Sequence, residues 1–195
     1  YRWYANDTRN QWNQTQQLSF NVTYTPTVQR TPTTPNYNEN VTISATITEI
    51  PVDKALLSYI YDVTWHNVSM NRYDKTFNAT IPSQPYGTFV QYKIYANDTS
   101  GNWATSVTYS YTVGDFIAPT IGSVEYIAFS LYPTIPSNTT WSEKPILVIA
   151  NITEPTNASG VAKTLFSYRV NGGDWWNTTM KQNPTTGLWS VLMPG

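Results

Sequence analysis

Asp98 and Asn102 stand four residues apart in the stretch Tyr92-Lys-Ile-Tyr-Ala-Asn-Asp-Thr-Ser-Gly-Asn-Trp103. Side-chain oxygens spaced like this around a glycine suit one of two tasks. The first is a calcium site, since Ca²⁺ gathers about six to eight oxygen ligands. In a sandwich of strands, the loops after the second and fifth strands open at the same end, which would carry Glu49 toward Asp98 and Asn102. Asp115, at the next junction, would serve as a ligand between repeats, and Glu154 would face an Asp7 from another copy. The second task is capping, in which the Asp carboxylate accepts backbone N–H groups of its own turn. An Asp with a Gly three residues on fits capping better. Calcium is the one metal these residues suggest, and no cofactor is required.

Other chemistry is sparse. His66 is the only histidine, which excludes multi-histidine metal centres, and it is expected to face solvent beside Asn67. The chain has no cysteine, so disulfides and thiolate-bound metals are excluded. No serine sits in a glycine-flanked nucleophile elbow. No two carboxylates pair for acid–base work on a glycosidic bond, and Gly172-Gly173 reads as a hairpin turn rather than a phosphate cradle. The expectation is that the chain is not an enzyme. Trp103, Trp175 and Trp176 are candidates for a saccharide platform. Trp12 recurs at Trp103 and Trp65 at Trp175, however, which favours packing within the framework.

The commonest chemical signal is a modification motif. Asn-X-Ser/Thr occurs at Asn6, Asn13, Asn21, Asn40, Asn67, Asn78, Asn97, Asn138, Asn151, Asn157 and Asn177, taking up 11 of 18 asparagines. Chance would give about four in a chain this rich in Ser and Thr, and the motif is the acceptor for N-linked glycans. The composition points the same way. Charged residues make up 12% of the chain and the net charge is −1, so polarity comes from 30 Thr and 15 Ser together with amides. The charge balance speaks against nucleic acid as a partner. No apolar run is long enough to span a membrane.

The elements that must position these residues read as strands throughout. Val41, Ile43, Ala45 and Ile47 alternate with Thr and Ser, and the same period of two recurs over 55–63, 65–70, 76–82, 92–96 and 107–113. No stretch offers a helical face. Residues 24–38 carry three prolines and read as a stiff linker running into an edge strand. Moreover, the pattern repeats. Tyr1 to Trp12 match Tyr92 to Trp103 at an offset of 91, with Ala-Asn-Asp-Thr shared. Ala150 to Glu154 follow Ala45 to Glu49 at 105, Leu165 to Tyr168 follow Leu56 to Tyr59 at 109, and Trp175 to Met180 follow Trp65 to Met70 at 110. The expected organisation is therefore 1–28, the last two strands of one repeat plus a linker; 29–116, a complete repeat; and 117–195, a repeat lacking its last two strands. Either the repeats belong to a longer array, or the first strands of one copy complete the open repeat of another.

The signature Tyr92-Lys-Ile-Tyr-Ala-Asn-Asp-Thr-Ser-Gly-Asn102 and the junction Asp115-Phe-Ile-Ala-Pro119 resemble the immunoglobulin-like and fibronectin type III-like repeats of large archaeal and bacterial surface proteins. The first copy departs from the signature, with Asn10-Gln11 in place of Gly101-Asn102. The resemblance implies an all-β fold of tandem β-sandwich repeats and an extracellular structural role at the cell surface. The sequon density and acidic, Thr-rich character look archaeal, as in surface-layer or filament glycoproteins. Partners would then be copies of the chain or adjacent repeats. The alternative is an adhesin or carbohydrate-binding stalk. One repeat also carries an apolar insertion, Tyr126-Ile-Ala-Phe-Ser-Leu-Tyr-Pro-Thr-Ile135. Tyr126, Ile127, Phe129, Leu131, Tyr132 and Ile135 are its candidate interface residues, the other reading being a longer strand that covers its own sandwich.

Overall fold

Period-two alternation dominates the sequence, and every regular element it produces is a strand. The computed structural model describes residues 2–15, 25–48, 51–128 and 145–193, and no helix occurs among them. The chain divides into two units. One comprises Tyr1–Pro35, Glu39–Ser83 and Thr88–Thr112, the other Asn36–Asn38, Gln84–Gly87 and Val113–Gly195.

The first unit contains a hairpin of β1 (Tyr4–Asn6) and β2 (Trp12–Gln14), whose strand residues are all exposed. It continues with β3 (Thr27–Thr31), β4 (Val41–Thr46), β5 (Val52–Ile60), β6 (His66–Ser69), β7 (Asn71–Tyr73), β8 (Thr76–Ile81), β9 (Phe89–Asp98), β10 (Trp103–Thr105) and β11 (Tyr109–Thr112). Two antiparallel sheets result, ordered β3-β4-β8-β7 and β10-β9-β5-β6, with β11 also on β9. Their buried faces follow from the alternation. Val41, Ile43 and Ala45 on β4 and Phe77, Ala79 and Ile81 on β8 lie inside, as do Leu57 and Tyr59 on β5 and Val90, Tyr92, Ile94 and Ala96 on β9. Each large apolar side chain so buried contributes about 1.5–3 kcal/mol. The arrangement is sandwich-like. The Arg30 guanidinium sits 4.9 Å from the centroid of the Tyr111 ring and donates to the carbonyl of Ser110 at 3.1 Å. Burial pushes the Tyr111 phenol well above its ordinary pKa, against the opposing pull of Arg30.

Two strands differ from the sequence reading, each for a backbone reason. The strand expected over 65–70 ends at Ser69 because Met70 turns inward, buried, with its N–H on the carbonyl of Ala55 at 2.9 Å. The chain then joins the other sheet as β7. The strand expected over 107–113 is confined to β11, and the unexpected short strand β10 precedes it; a bulge opposite β9 separates the two, since Thr105 faces Tyr95 but Tyr109 faces Tyr92. Ser106 holds that bulge. Its N–H donates to the Ile94 carbonyl at 2.9 Å, and its hydroxyl accepts the Ile94 N–H at 3.0 Å.

The second unit contains β12 (Thr120–Ala128), β13 (Ile146–Thr153), β14 (Leu165–Tyr168), β15 (Trp176–Thr179), β16 (Lys181–Gln182) and β17 (Trp189–Met193). Its antiparallel sheets are β12-β13-β17-β16 and β14-β15. The core gathers Val148, Ala150, Ile152, Met180 and Trp189, with Phe166 and Val161 packed against them. Strand for strand, the registers copy those of the first unit. Ala45 faces Phe77 as Ala150 faces Trp189, and Ser58 faces Asn67 as Ser167 faces Asn177. The crossing from one sheet to the other is kept too, since the Met180 N–H reaches the Thr164 carbonyl at 3.2 Å. Among the described residues of this unit, nothing corresponds to β9, β10 and β11. The expected boundary near 116 lies inside this unit, which also takes in 36–38 and 84–87 through the Asn36–Gly114 bridge and the Gly87 N–H bond to Val113.

Leu57 has no exposed surface, so Leu57→Ala is expected to cost about 2–5 kcal/mol in equilibrium urea unfolding. Leu165→Ala, at a side chain 56% exposed, should change stability by no more than about 0.5 kcal/mol. Equal losses at the two sites would contradict the burial assigned to β5 and β14.

Candidate functional site

The turn that joins β9 to β10 is built around Asp98. Its Oδ1 accepts the N–H groups of Ser100 and Asn102, each at 2.9 Å, and its Oδ2 accepts the Asn102 side-chain amide at 2.9 Å. The backbone closes the turn, Asp98 N–H to the Asn102 carbonyl and Gly101 N–H to the Asp98 carbonyl, both at 3.0 Å. These donors, Asn102 foremost, hold the Asp98 carboxyl below its ordinary pKa.

The β1–β2 turn repeats this geometry despite its altered sequence. Asp7 Oδ1 accepts from Arg9 and Gln11 at 2.9 and 3.0 Å, with matching backbone bonds between Asp7, Asn10 and Gln11. Asn10 takes the left-handed conformation, φ 60°, that Gly101 takes at φ 84°. Asparagine tolerates that region because its short polar side chain can bond locally, and here its Oδ1 accepts the Asn6 amide at 3.0 Å. The hairpins match further down. The Thr15 hydroxyl accepts the Trp3 N–H at 3.0 Å as Ser106 accepts that of Ile94, and the Thr15 N–H reaches the Trp3 carbonyl at 2.9 Å. These two hydroxyl residues were not singled out in the sequence reading. The available signal was a hydroxyl kept at the same offset of 91.

The turn residues are arranged as a backbone cap. Both oxygens of Asp98 already accept N–H donors, and among the described residues no three acidic or histidine side chains cluster. Glu49 lies outside the described residues. Asp115 belongs to the second unit, where its Oδ1 accepts the Ile117 N–H at 3.1 Å and its Oδ2 the Ser159 N–H at 2.8 Å. Those bonds, Ser159 first, likewise lower its pKa. His66 is not free in solvent as expected. Its ring stacks on those of Tyr59 and Tyr61, with centroids 5.3 and 5.1 Å away and the two tyrosines 6.2 Å from each other, and it lies 3.9 Å from the Asp62 carboxylate. Asn171 and Gly172, both at positive φ, make the expected tight turn, closed by the Gly173 N–H on the Val170 carbonyl at 2.9 Å.

The tryptophans overturn the framework reading. Trp103 is 52% exposed, Trp175 62% and Trp176 63%, while Trp189 is the described tryptophan that is buried. Trp103 and Trp176 open β10 and β15, and Trp175 lies just before β15. On the first unit, Leu56, Trp65, Asn67, Lys93, Tyr95 and Trp103 line a shallow groove of about 400 Å³. The Lys93 ammonium lies 4.7 Å from the centre of the Trp65 ring and 6.0 Å from that of Tyr95. In the second unit Arg169 stands 5.2 Å from the Trp175 ring. An aromatic surface with an amide and an ammonium at its rim can stack a sugar ring and bond its hydroxyls.

The sequon asparagines divide by exposure. Asn6, Asn13, Asn40, Asn67, Asn151, Asn157 and Asn177 are exposed, and Asn78 is half-buried. Asn97 is only 9% exposed, and its Oδ1 accepts the Lys54 N–H at 2.9 Å where β5 bulges. Asn21 and Asn138 lie outside the described residues. Of the candidate interface residues, Tyr126 is 76% and Ile127 46% exposed on β12, an edge strand. Phe129, Leu131, Tyr132 and Ile135 lie outside the described residues.

No family model matches the chain, and no curated protein sequence matches it. Among solved structures, the cycloalternan-degrading enzyme from Trueperella pyogenes aligns over 62% of this chain and 17% of its own, at 16% identity and a TM-score of 0.40. The same enzyme in complex with cycloalternan aligns over 62% and 20%, at 16% identity and a TM-score of 0.40. The chain spans a fifth or less of those enzyme chains, and a likeness this distant carries no argument about activity.

Two outcomes follow from the turn. Gly101→Val is expected to cost about 1–2 kcal/mol, and Gly101→Asn less, because asparagine adopts the left-handed region routinely; equal losses in thermal unfolding would contradict the match with Asn10. Lowered carboxyl pKa values mean that the caps contribute stability above the ordinary value and lose it as pH falls through the depressed one. In an acid titration followed by NMR, the Ser100 and Asn102 amide shifts should therefore move with a midpoint below 3.8. A midpoint at or above that value would contradict the capping bonds.

Proposed function

We propose that the chain is a structural extracellular glycoprotein, a building unit of a surface layer, sheath or filament, made from immunoglobulin-like or fibronectin type III-like sandwich repeats. The observation that carries this reading is the shared register of the two units, strand for strand, together with the second copy of the β9–β10 hairpin at β1–β2. Repetition of one supersecondary unit is how extended assemblies are built. Support also comes from the surface, where seven sequon asparagines are exposed and charged residues are few. This reading assigns no catalytic role, and it takes Asp98 and Asp115 as turn caps. Calcium between repeats would need ligands beyond the capping set. No helix among the described residues is long and apolar enough to cross a membrane.

A second reading, an adhesin or carbohydrate-binding stalk, is favoured by one observation: the groove of Trp65, Trp103, Tyr95 and Lys93 on the outer face of the first unit. A glycan array separates the two. Retained glycans, lost in Trp65→Ala and Trp103→Ala, support the stalk; lattices or filaments seen by electron microscopy support the building unit.

Glycosylation itself is read by intact mass and peptide mapping after expression in an N-glycosylating host. Mass well above the 22.1 kDa of the polypeptide is expected, with sugar on Asn67 and Asn177 and little on the buried Asn97. An unmodified mass would remove the glycoprotein reading, and occupancy at Asn97 equal to that at Asn67 would contradict its burial.

A further inference from the structure

The exposed face of β6 carries a tryptophan, an acceptor asparagine and a hydroxyl in one row. Side chains two apart share a face of a strand. Trp65, just before β6, and Asn67 and Ser69 on it are exposed, while His66 and Val68 between them are half-buried. The second unit keeps the exposed row. Trp175, Asn177 and Thr179 stand at the offset of 110 and are exposed, whereas His66 and Val68 are replaced by Trp176 and Thr178. Packing constrains a half-buried face more than an open one, so retention of the open one has its cause on the outside. The retained residues include the whole Asn-X-Ser/Thr acceptor motif.

The surroundings of Asn67 supply what a sugar needs. Across the sheet, Asn67 faces Ser58 on β5, and Ser58 faces Lys93 on β9. Strands lie about 4.8 Å apart, so this row spans about 10 Å. Leu56 and Tyr95 face each other in the next row, and Trp103 completes the same groove of about 400 Å³. Its rings are open to solvent, with Trp65 39% and Trp103 52% exposed. The Lys93 ammonium, 4.7 Å from the centre of the Trp65 ring, brings its N–H donors to the groove. In the second unit the cation beside the tryptophan is Arg169, 5.2 Å from the Trp175 ring. There the Ser167 hydroxyl donates to Asn177 Oδ1. That bond takes the amide oxygen and not the nitrogen to which a sugar is joined.

We propose that the groove of the first unit is occupied by the chain's own glycan. A sugar joined to Asn67 lies back across Ser58, with its apolar face on Trp65 and Trp103 and its hydroxyls on the Lys93 ammonium. Modification joins the anomeric carbon of an oligosaccharide, carried on a lipid phosphate, to the Asn67 amide nitrogen. The bond from that carbon to the carrier phosphate breaks, and the amide gives up one proton to a base of the transferring enzyme. Tethering then favours this occupant over any other. A group on a short flexible link meets its site at an effective concentration of about millimolar, which a free saccharide must match from solution. The cover also answers the exposure of large rings on an outer surface. Trp175 and Asn177 repeat the arrangement in the second unit. This inference rests on the glycoprotein reading above and assigns the sugar its surface.

The test uses the chain from an N-glycosylating host, with occupancy at each sequon read first by peptide mass. NMR of the occupied chain is expected to show nuclear Overhauser contacts from the Trp65 and Trp103 ring protons to sugar C–H protons. Those sugar protons should also lie upfield of their positions in the urea-unfolded chain. In thermal unfolding, the occupied chain should have a Tm about 2–4 °C above that of Asn67→Gln. The difference should vanish when both chains carry Trp65→Ala and Trp103→Ala. Absence of the contacts at full Asn67 occupancy, or a Tm difference that survives the two alanines, would overturn the proposal and leave the glycoprotein reading standing. Sugar on other sequons with Asn67 vacant would do the same, and sugar on no sequon would overturn both. Retention of added glycans by the fully occupied chain, lost in Trp103→Ala, would give the groove to an outside ligand and overturn the proposal.

Discussion

The pairing of β9 with β5 is the interaction on which the first unit depends. It places Ile94 opposite Leu57 and Tyr92 opposite Tyr59, and all four are buried. β9 is ten residues long, the longest strand among the described residues, and its other edge carries both β10 and β11. Remove it, and β5 keeps only β6, the pairing that β14 makes with β15 among the described residues. The second unit displays that consequence. Its four-stranded sheet buries Val148, Ala150 and Ile152 as the first unit buries Ile43, Ala45 and Ile47, but the facing sheet leaves Leu165 exposed and Phe166 half-covered. Two strands alone are marginal in water, so β14–β15 is held by Phe166 and Met180 packing on the core rather than by its own ladder.

The polar residues near β9 serve its ends and irregularities. Asp98 closes the turn, Ser106 completes the ladder across a bulge, and Asn97 fills a missing bond where β5 bulges at Val52 and Lys54. Ser106 and Asn97 answer one physical demand, that a backbone group shielded from water must find a partner, while Asp98 organises an exposed turn. The residues that looked most like ligands are therefore committed to the backbone. Asn102 holds the Asp98 carboxylate twice, its backbone N–H on Oδ1 and its side-chain amide on Oδ2.

The outer surface is where recognition has room. Trp65, Trp103, Trp175 and Trp176 are exposed, Trp65 beside Lys93 and Trp175 beside Arg169, and Asn67 shares the groove with Trp65 and Trp103. Large aromatic rings on an exterior need cover or a ligand more than scattered aliphatic residues do. Sugar, carried by the chain itself or presented by a partner, has the flat apolar faces and hydroxyls that suit them.

Much of this was legible in the sequence because period-two alternation and the repeat offsets are local signals. The all-strand content, the inward faces of β4, β8 and β9, the N-terminal copy of the β9–β10 hairpin and the capping role of Asp98 all follow from neighbours in the chain. Tertiary structure decided what depends on distant partners. Met70 leaves its strand because Ala55 offers its carbonyl, and Asn97 is buried because β5 bulges toward it. His66 is stacked because Tyr59 and Tyr61 lie on the adjacent strand and its loop, and Trp189 is buried while Trp103 is exposed because position in the sheets, not residue type, decides burial. Sequence thus determined that Tyr4 to Trp12 would form the same hairpin as Tyr95 to Trp103. Whether such a hairpin is core or surface was fixed only by the presence of a β5 beside it, since burial is a property of the facing strand and not of the residues buried.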